Sequence, residues 1–212
     1  MRDYTMAERA ELYEQAEPGK KWPASVPWVG PDGRIYGMWI LGQDYRNRSP
    51  LYGAYPPNYV MRVEALFPDR DRVLHLFSGS LPVGSYTRFD IREDAECDVR
   101  GDAHQLSTHF RPGEFDFVMA DPPYSCSDAD RYGTPWIQRN KVVKEVCKVL
   151  RPGGFLVWLD QVLPMYRKDT LNLQGVIGLV RSTNHRFRVV TIFERVGTPE
   201  LQDPAMEGFV VK

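Results

Sequence analysis

Apolar residues in this chain come in short runs, each closed by polar or turn-forming residues. From Arg72 onward the runs are regular. "RVLHLF" predicts a first short strand followed by "SGS"; "SYTRFDI" predicts a second, ending at Asp90; "ECDV" predicts a third, followed by "RGDA". "FDFVMA" predicts a fourth, followed by "DPPY". In "PWIQRNKVVKEVCKVL" the spacing of Ile137, Val142, Val143, Val146 and Val149 predicts a helix, which "RPGG" stops. "FLVWL" predicts a fifth strand, and "GVIGLVRS" and "FRVVTIFERV" predict two more around the turn "TNH". Short apolar strands alternating with loops and a helix indicate an α/β protein with a mostly parallel sheet.

The first 71 residues read differently. A helix is expected from Thr5 to Glu17, stopped by "EPGKK". The next stretch is dense in Pro, Gly and aromatics, with a turn at "PDG" and a candidate strand in "RIYGMWIL". "NYVMRVEALF" carries Val60, Val63, Leu66 and Phe67 at helical spacing. The expected organisation is a helical and irregular covering segment, 1–71, and a catalytic domain, 72–212.

Composition narrows the class. The chain has 212 residues, 42% hydrophobic and 26% charged, with a formal net charge of -1. That suits one sizeable core and gives no support to a non-specific nucleic-acid binder, which is usually strongly basic. The 3 cysteines, Cys97, Cys126 and Cys147, show no CxxC spacing. No disulfide framework and no structural zinc are expected, and metal ligands are expected to be none. The N-terminus is too charged for a signal peptide, and no run approaches the roughly 20 apolar residues of a membrane span. These features lead to the expectation of a soluble intracellular protein, cytoplasmic, with no membrane contact.

The candidate chemistry lies at the strand ends. Ser78-Gly79-Ser80 follows the first predicted strand, Asp90 closes the second, Gly101-Asp102-Ala103 follows the third, and Asp121-Pro122-Pro123-Tyr124 follows the fourth. In an open α/β sheet, ligands sit beyond the carboxyl ends of the strands. A glycine after the first strand lets the backbone approach a ligand. A carboxylate after the second can take both ribose hydroxyls, and one after the third can accept from an exocyclic amine. GxGxxG and a Walker lysine are absent, which argues against a dinucleotide or nucleoside triphosphate site.

"DPPY" closing a buried strand resembles the catalytic motif of class I S-adenosylmethionine-dependent amino-methyltransferases, chiefly the DNA N6-adenine and N4-cytosine enzymes. "VLHLFSGS" resembles the family's cofactor loop, "RFDI" its ribose-binding acid, and "RGDAHQL" its adenine-contacting segment. "VVKEVCKVLRPGGFLVWLD" is similar to the helix, turn and strand after the catalytic motif. The resemblance runs from about Arg72 to Asp160, and the last two strands fit a terminal hairpin. It implies a Rossmann-like class I methyltransferase fold, a mostly parallel seven-strand-type sheet with a C-terminal antiparallel hairpin.

The resemblance also implies S-adenosyl-L-methionine as cofactor, held by Phe77, Ser78, Gly79, Ser80, Asp90, Ile91, Asp102, Ala103 and Asp121. It implies Asp121, Pro122, Pro123 and Tyr124 as catalytic residues and DNA as partner, with RNA as the near alternative. Asp rather than Asn at 121 favours adenine N6 in DNA over RNA bases or a protein glutamine; cytosine N4 stays open. The chain departs from the family pattern in two places. Its cofactor loop reads "FSGSLPVG", with only Gly79 clearly in place, and about ten residues join Ser80 to Asp90 where a helix normally fits. This keeps a second reading open, a methyltransferase-fold protein that binds without catalysing. There is also no insertion for a target-recognition domain, as in the stand-alone enzymes of phages and mobile elements.

Other positions carry milder expectations. Trp158 and His75 read as core residues, and Gly101 and "RPGG" as turns. Asp160 is a candidate on the substrate side. "CSDADRYGTPW", with Arg131 and Tyr132, reads as a flexible polar loop over the substrate. Arg181, His185, Arg186 and Arg188 read as a solvated turn, with a phosphate-contacting patch as the alternative. Arg46 and Arg48, among tyrosines, suit single-strand binding or a cover for the sheet.

Overall fold

The computed structural model describes residues 4–16, 26–41, 55–181 and 184–197. Helix α1 (Met6–Ala16) opens the chain, capped where Thr5 and Glu8 bond each other's backbone and side chains. Strands β1 (Trp28–Val29) and β2 (Ile35–Leu41) follow, then helix α2 (Tyr59–Leu66). Strands β3 (Val73–Leu76), β4 (Thr87–Asp90) and β5 (Val99–Arg100) come next, then a 3-10 helix (Ala103–Thr108) and strand β6 (Phe115–Ala120). Helices α3 (Cys126–Tyr132) and α4 (Arg139–Val149) precede β7 (Leu150–Asp160), β8 (Leu171–Arg181) and β9 (Asn184–Arg195).

The strands form one sheet in the order β1-β2-β8-β9-β7-β6-β3-β4-β5. Strands β5, β4, β3, β6 and β7 run parallel, and β9 enters antiparallel between β7 and β8. This is a Rossmann-like α/β fold, mostly parallel with an antiparallel C-terminal hairpin. Strand β2 extends it by pairing parallel to β8. Among the described residues before position 71, α1 and α2 pack on the sheet and β2 joins it. Pairing of Ile35 with Gly175 is too distant along the chain for any local pattern to announce it.

Two apolar layers sandwich the sheet. Phe117, Met119, Val157, Leu159, Ile177, Val190 and Ile192 pack under α1 and α2. Leu74, Leu76, Val118, Ala120, Leu156 and Trp158 pack under α4 and the 3-10 helix. Burial on both faces explains why "FDFVMA" is continuous rather than alternating. Trp158 is core, as expected.

Three expectations change. The stretch after Tyr124 is a helix rather than an open loop: Ser125 Oγ accepts from Asp128 N at 3.1 Å at the start of α3, and Gly133 ends it at φ 66°. Helix α4 begins only at Arg139, four residues later than the apolar spacing suggested. "RPGG" is absorbed into β7 beside a register shift. The segment with Arg46 and Arg48 and the side chain of His185 lie outside the described residues. Among the described residues, no helix is long and apolar enough to cross a membrane, and no cluster of His, Cys, Asp and Glu could hold a metal ion.

Candidate active site

Because β3, β4, β5 and β6 run parallel, their carboxyl ends share one edge of the sheet. That edge brings together Phe77 to Ser80, Asp90, Asp102 and Asp121. Five candidate cofactor residues, Phe77, Asp90, Ile91, Asp102 and Ala103, line a small cleft completed by Phe89, Gly101, Pro135 and Ile137. Of the nine cofactor positions expected from sequence, only Ser78, Gly79, Ser80 and Asp121 lie outside its lining.

The loop after β3 is tight. Phe77 takes φ 58°, a left-handed conformation unusual for a large side chain, and Gly79 takes φ 52°. The expected short connection to β4 is present and internally braced. Tyr86 Oη donates to Pro82 O at 2.6 Å, and Arg88 donates to Leu81 O at 3.1 Å while pairing with Asp98 at 2.9 Å. Gly79 N donates to Asp90 Oδ2 at 2.8 Å, and Arg92 N to Asp90 Oδ1 at 3.0 Å. Each carboxylate oxygen can accept again, so Asp90 keeps capacity for a diol. Asp102 receives His104 N at 2.9 Å and His104 Nδ1 at 2.7 Å, both on Oδ1. Gln138 N donates to His104 Nε2 at 3.0 Å, so the proton of a neutral His104 sits on Nδ1 and faces Asp102. That imidazole ties the acid after β5 to the start of α4.

Ser78 Oγ is buried with no hydrogen-bond partner among the described residues, and so is the Tyr59 hydroxyl. Buried hydroxyls in this condition are costly unless a ligand supplies the missing bond. An adenosine-bearing cofactor fits this donor set: ribose acceptors on Asp90, an acceptor on Asp102, and an unspent hydroxyl on Ser78. Tyr55 and Tyr59 stand on the same edge. Burial raises both phenol pKa values well above the usual range, and the Asp121 charge adds to this. Tyr55 Oη lies 3.2 Å from His75 Nδ1, and burial followed by the Arg70 charge lowers His75 to about 4. His75 is thus a neutral, satisfied core imidazole, as expected.

Asp121 stands at the tip of β6. Burial pushes its pKa up to about 7, opposed by the Tyr124 hydrogen bond and the Arg188 charge and assisted by the charge of Asp160. Tyr124 Oη donates to Asp121 Oδ1 at 2.5 Å. This bond favours the ionised acid. Tyr124→Phe is therefore expected to move any Asp121-dependent limb of a pH–rate profile to higher pH, and a profile at saturating substrate checks it. Pro122 and Pro123 are buried and rigid, and neither needs an amide donor satisfied.

Two arginines border this corner: Arg139, which the sequence pattern did not single out, and Arg188, which it placed in a solvated turn or a phosphate-contacting patch. Arg139 makes a two-point contact with Asp160, Nε to Oδ2 at 2.6 Å and Nη2 to Oδ1 at 3.1 Å, and Nη2 also donates to Tyr124 O at 2.9 Å. Asp160, fully buried, accepts besides from Trp158 Nε1 at 3.1 Å and Gln161 N at 2.7 Å. Its place at the substrate side is thus one of support: its acceptors are engaged within the protein. The place of Arg139 at the helix start follows only from α4 beginning there, later than the sequence pattern suggested, so no local pattern pointed to it.

Arg188 is the second. It lies buried with its guanidinium carbon 5.2 Å from the Tyr124 ring centroid, which corrects the reading of that cluster as a solvated turn. Arg186 fits that reading better, being exposed and paired with Asp128 at 3.2 Å. Arg92 lies over the Tyr132 ring at 5.5 Å.

No family model matches the chain, and no curated protein does. Solved structures resemble it at low identity. A candidate methylase from Haemophilus influenzae is 12% identical, with 65% of this chain and 88% of that one covered and a TM-score of 0.42. A candidate methyltransferase from Escherichia coli is 12% identical over 75% and 98%, with a TM-score of 0.43. An rRNA methylase from Streptococcus thermophilus is 8% identical over 60% and 89%, with a TM-score of 0.37. The Rossmann-like assignment rests on the order and direction of this chain's own strands.

Proposed function

We propose that the protein is an S-adenosylmethionine-dependent methyltransferase acting on the exocyclic amino group of a nucleic-acid base, adenine N6 in DNA first. The observation that carries this is the placement of Asp121 at the tip of a buried strand, on the same edge as the Asp90 and Asp102 cleft. Bound in that cleft, S-adenosylmethionine would supply an electrophilic methyl group.

The protein's own part follows from the acceptor's chemistry. An exocyclic amine is a poor nucleophile because its lone pair is delocalised into the ring. The Asp121 carboxylate and the Pro122 carbonyl are two fixed acceptors able to hold its two N–H bonds and favour a tetrahedral nitrogen. The alkylated nitrogen must lose a proton, and a carboxylate with a pKa near 7 is matched to take it. Tyr124 is the platform for the base, flipped from a duplex or already single-stranded. The exposed ring of Trp136, packed against Arg139 at this corner, suits a neighbouring base. The choice of DNA over RNA rests on the sequence resemblance, through Asp at position 121.

Titration calorimetry with S-adenosylmethionine tests the reading. The wild type is expected to bind, and Asp90→Ala to bind about 10- to 100-fold more weakly, as loss of a charge-assisted acceptor implies. Absence of heat with the wild type at millimolar cofactor would overturn the enzyme reading and favour the binding-only alternative.

A further inference from the structure

Arg188 is 7% exposed, yet among the described residues its Nε and Nη1 have no hydrogen-bond partner. Arg181, one turn of the hairpin away, likewise has a buried Nε without a partner. Burial and the Arg188 charge lower the Arg181 pKa, so the two cations repel each other. A folded protein does not keep guanidinium groups desolvated and unpaired without compensation.

Among the described residues, the acids nearby do not supply it. Asp160 is occupied by Arg139, Trp158 and Gln161. Asp128 is held by Arg186 and Ser125. Asp121 lies near enough for its charge to be felt, but its hydrogen bond comes from Tyr124.

Position says what the missing partner belongs to. Val189 pairs with Asp160, so Arg188 projects from just beyond the carboxyl end of β7. The sheet order puts β9 on one side of β6, and β3, β4 and β5, with the candidate cofactor residues, on the other. An anion at Arg188 therefore accompanies the methyl acceptor rather than the cofactor. The guanidinium also lies over Tyr124, the platform for the base. An anion one sugar away from a stacked base is its phosphate.

We propose that Arg188, with Arg181 beside it, forms a buried anion subsite for the phosphate of the nucleotide whose base rests on Tyr124. The assignment of that phosphate to the acceptor rests on the base-methyltransferase reading above. The presence of an anion subsite does not. Guanidinium suits the task, since its fixed donors match two phosphate oxygens at once.

Inorganic phosphate is the first probe. Millimolar phosphate is expected to raise the melting temperature of the wild type and to leave that of Arg188→Met unchanged. Equal shifts in the two proteins would overturn the subsite, and this arm needs no methyl transfer. Arg188→Met should itself melt no lower than the wild type in phosphate-free buffer, because an unpaired buried charge is removed. A marked loss would assign Arg188 a structural role instead.

The second arm uses wild-type protein alone and short single-stranded DNA in which one phosphate is replaced by neutral methylphosphonate. About 10- to 100-fold weaker binding at one linkage position is expected. Equal affinity at every position would overturn the proposal. Tighter binding of the oligonucleotide than of deoxyadenosine monophosphate assigns the subsite to a phosphodiester; the reverse assigns it to a terminal phosphate. If calorimetry shows no cofactor binding while phosphate still stabilises through Arg188, the enzyme reading fails and the subsite stands.

Discussion

Asp121→Asn is expected to lose about 100- to 10,000-fold in methyl-transfer rate and, at pH 8, to be more stable than the wild type. Both effects have one cause. Burial raises the Asp121 pKa from 3.8 to about 7, so the folded protein holds this proton more tightly than the unfolded chain. The stability contributed by the protonated acid is fully present below pH 3.8 and is lost as pH rises to about 7. Asparagine has no such loss. The variant's advantage should open across that window and stay constant above it, at about 1–3 kcal/mol after allowance for the partial exposure of Asp121. Urea unfolding at pH 4, 6 and 8 would show it, and a gap independent of pH would refute it. Asparagine can still accept from Tyr124, so the fold of the motif is kept while the ionised acceptor is lost. The wild-type rate should correspondingly climb through an apparent pKa of about 7, a limb absent in the variant.

Arg139→Met is expected to cost about 3–5 kcal/mol of stability, because it leaves the Asp160 carboxylate buried without its cation. Adding Asp160→Asn removes that charge but keeps an acceptor for only one of the two donors, since Trp158 Nε1 is bound to Oδ2 and Gln161 N to Oδ1, so the double variant should recover part of the loss. Chemical denaturation of the four proteins of the cycle measures the coupling. If Asp160→Asn brought no recovery, the destabilisation would have to come from lost packing of Arg139 on Trp136, whose ring centroid lies 4.9 Å away. The double variant should still react slowly, since Tyr124 O loses the Arg139 bond that fixes the motif's elbow.

How far the sequence reaches is best seen in particular elements. "FDFVMA" was legible because burial on both faces demands an unbroken apolar run. The order of acids along the edge was legible because parallel strands place their carboxyl ends together. Strand β2 had the right local pattern, but its place beside β8 depends on packing across the whole fold. Helix α3 carried its own signals, Ser125 as cap and Gly133 as stop, which the polar composition between them masked. Arg188 shares a strand face with Val190 and Ile192, both buried. A cation at period two with core residues is not a solvated one. The proposed phosphate partner matches the phosphate-contacting alternative that the cluster of arginines in the sequence suggested, not the solvated turn.

On the reading proposed above, the edge holding Asp121 and Tyr124 methylates a base amino group. The most direct measurement is to incubate DNA and RNA with the protein and S-adenosylmethionine, digest both to nucleosides, and weigh them. N6-methyldeoxyadenosine is expected with the wild type and none with Asp121→Ala. Unmodified nucleosides from a wild type that binds the cofactor, or undiminished product from Asp121→Ala, would contradict it.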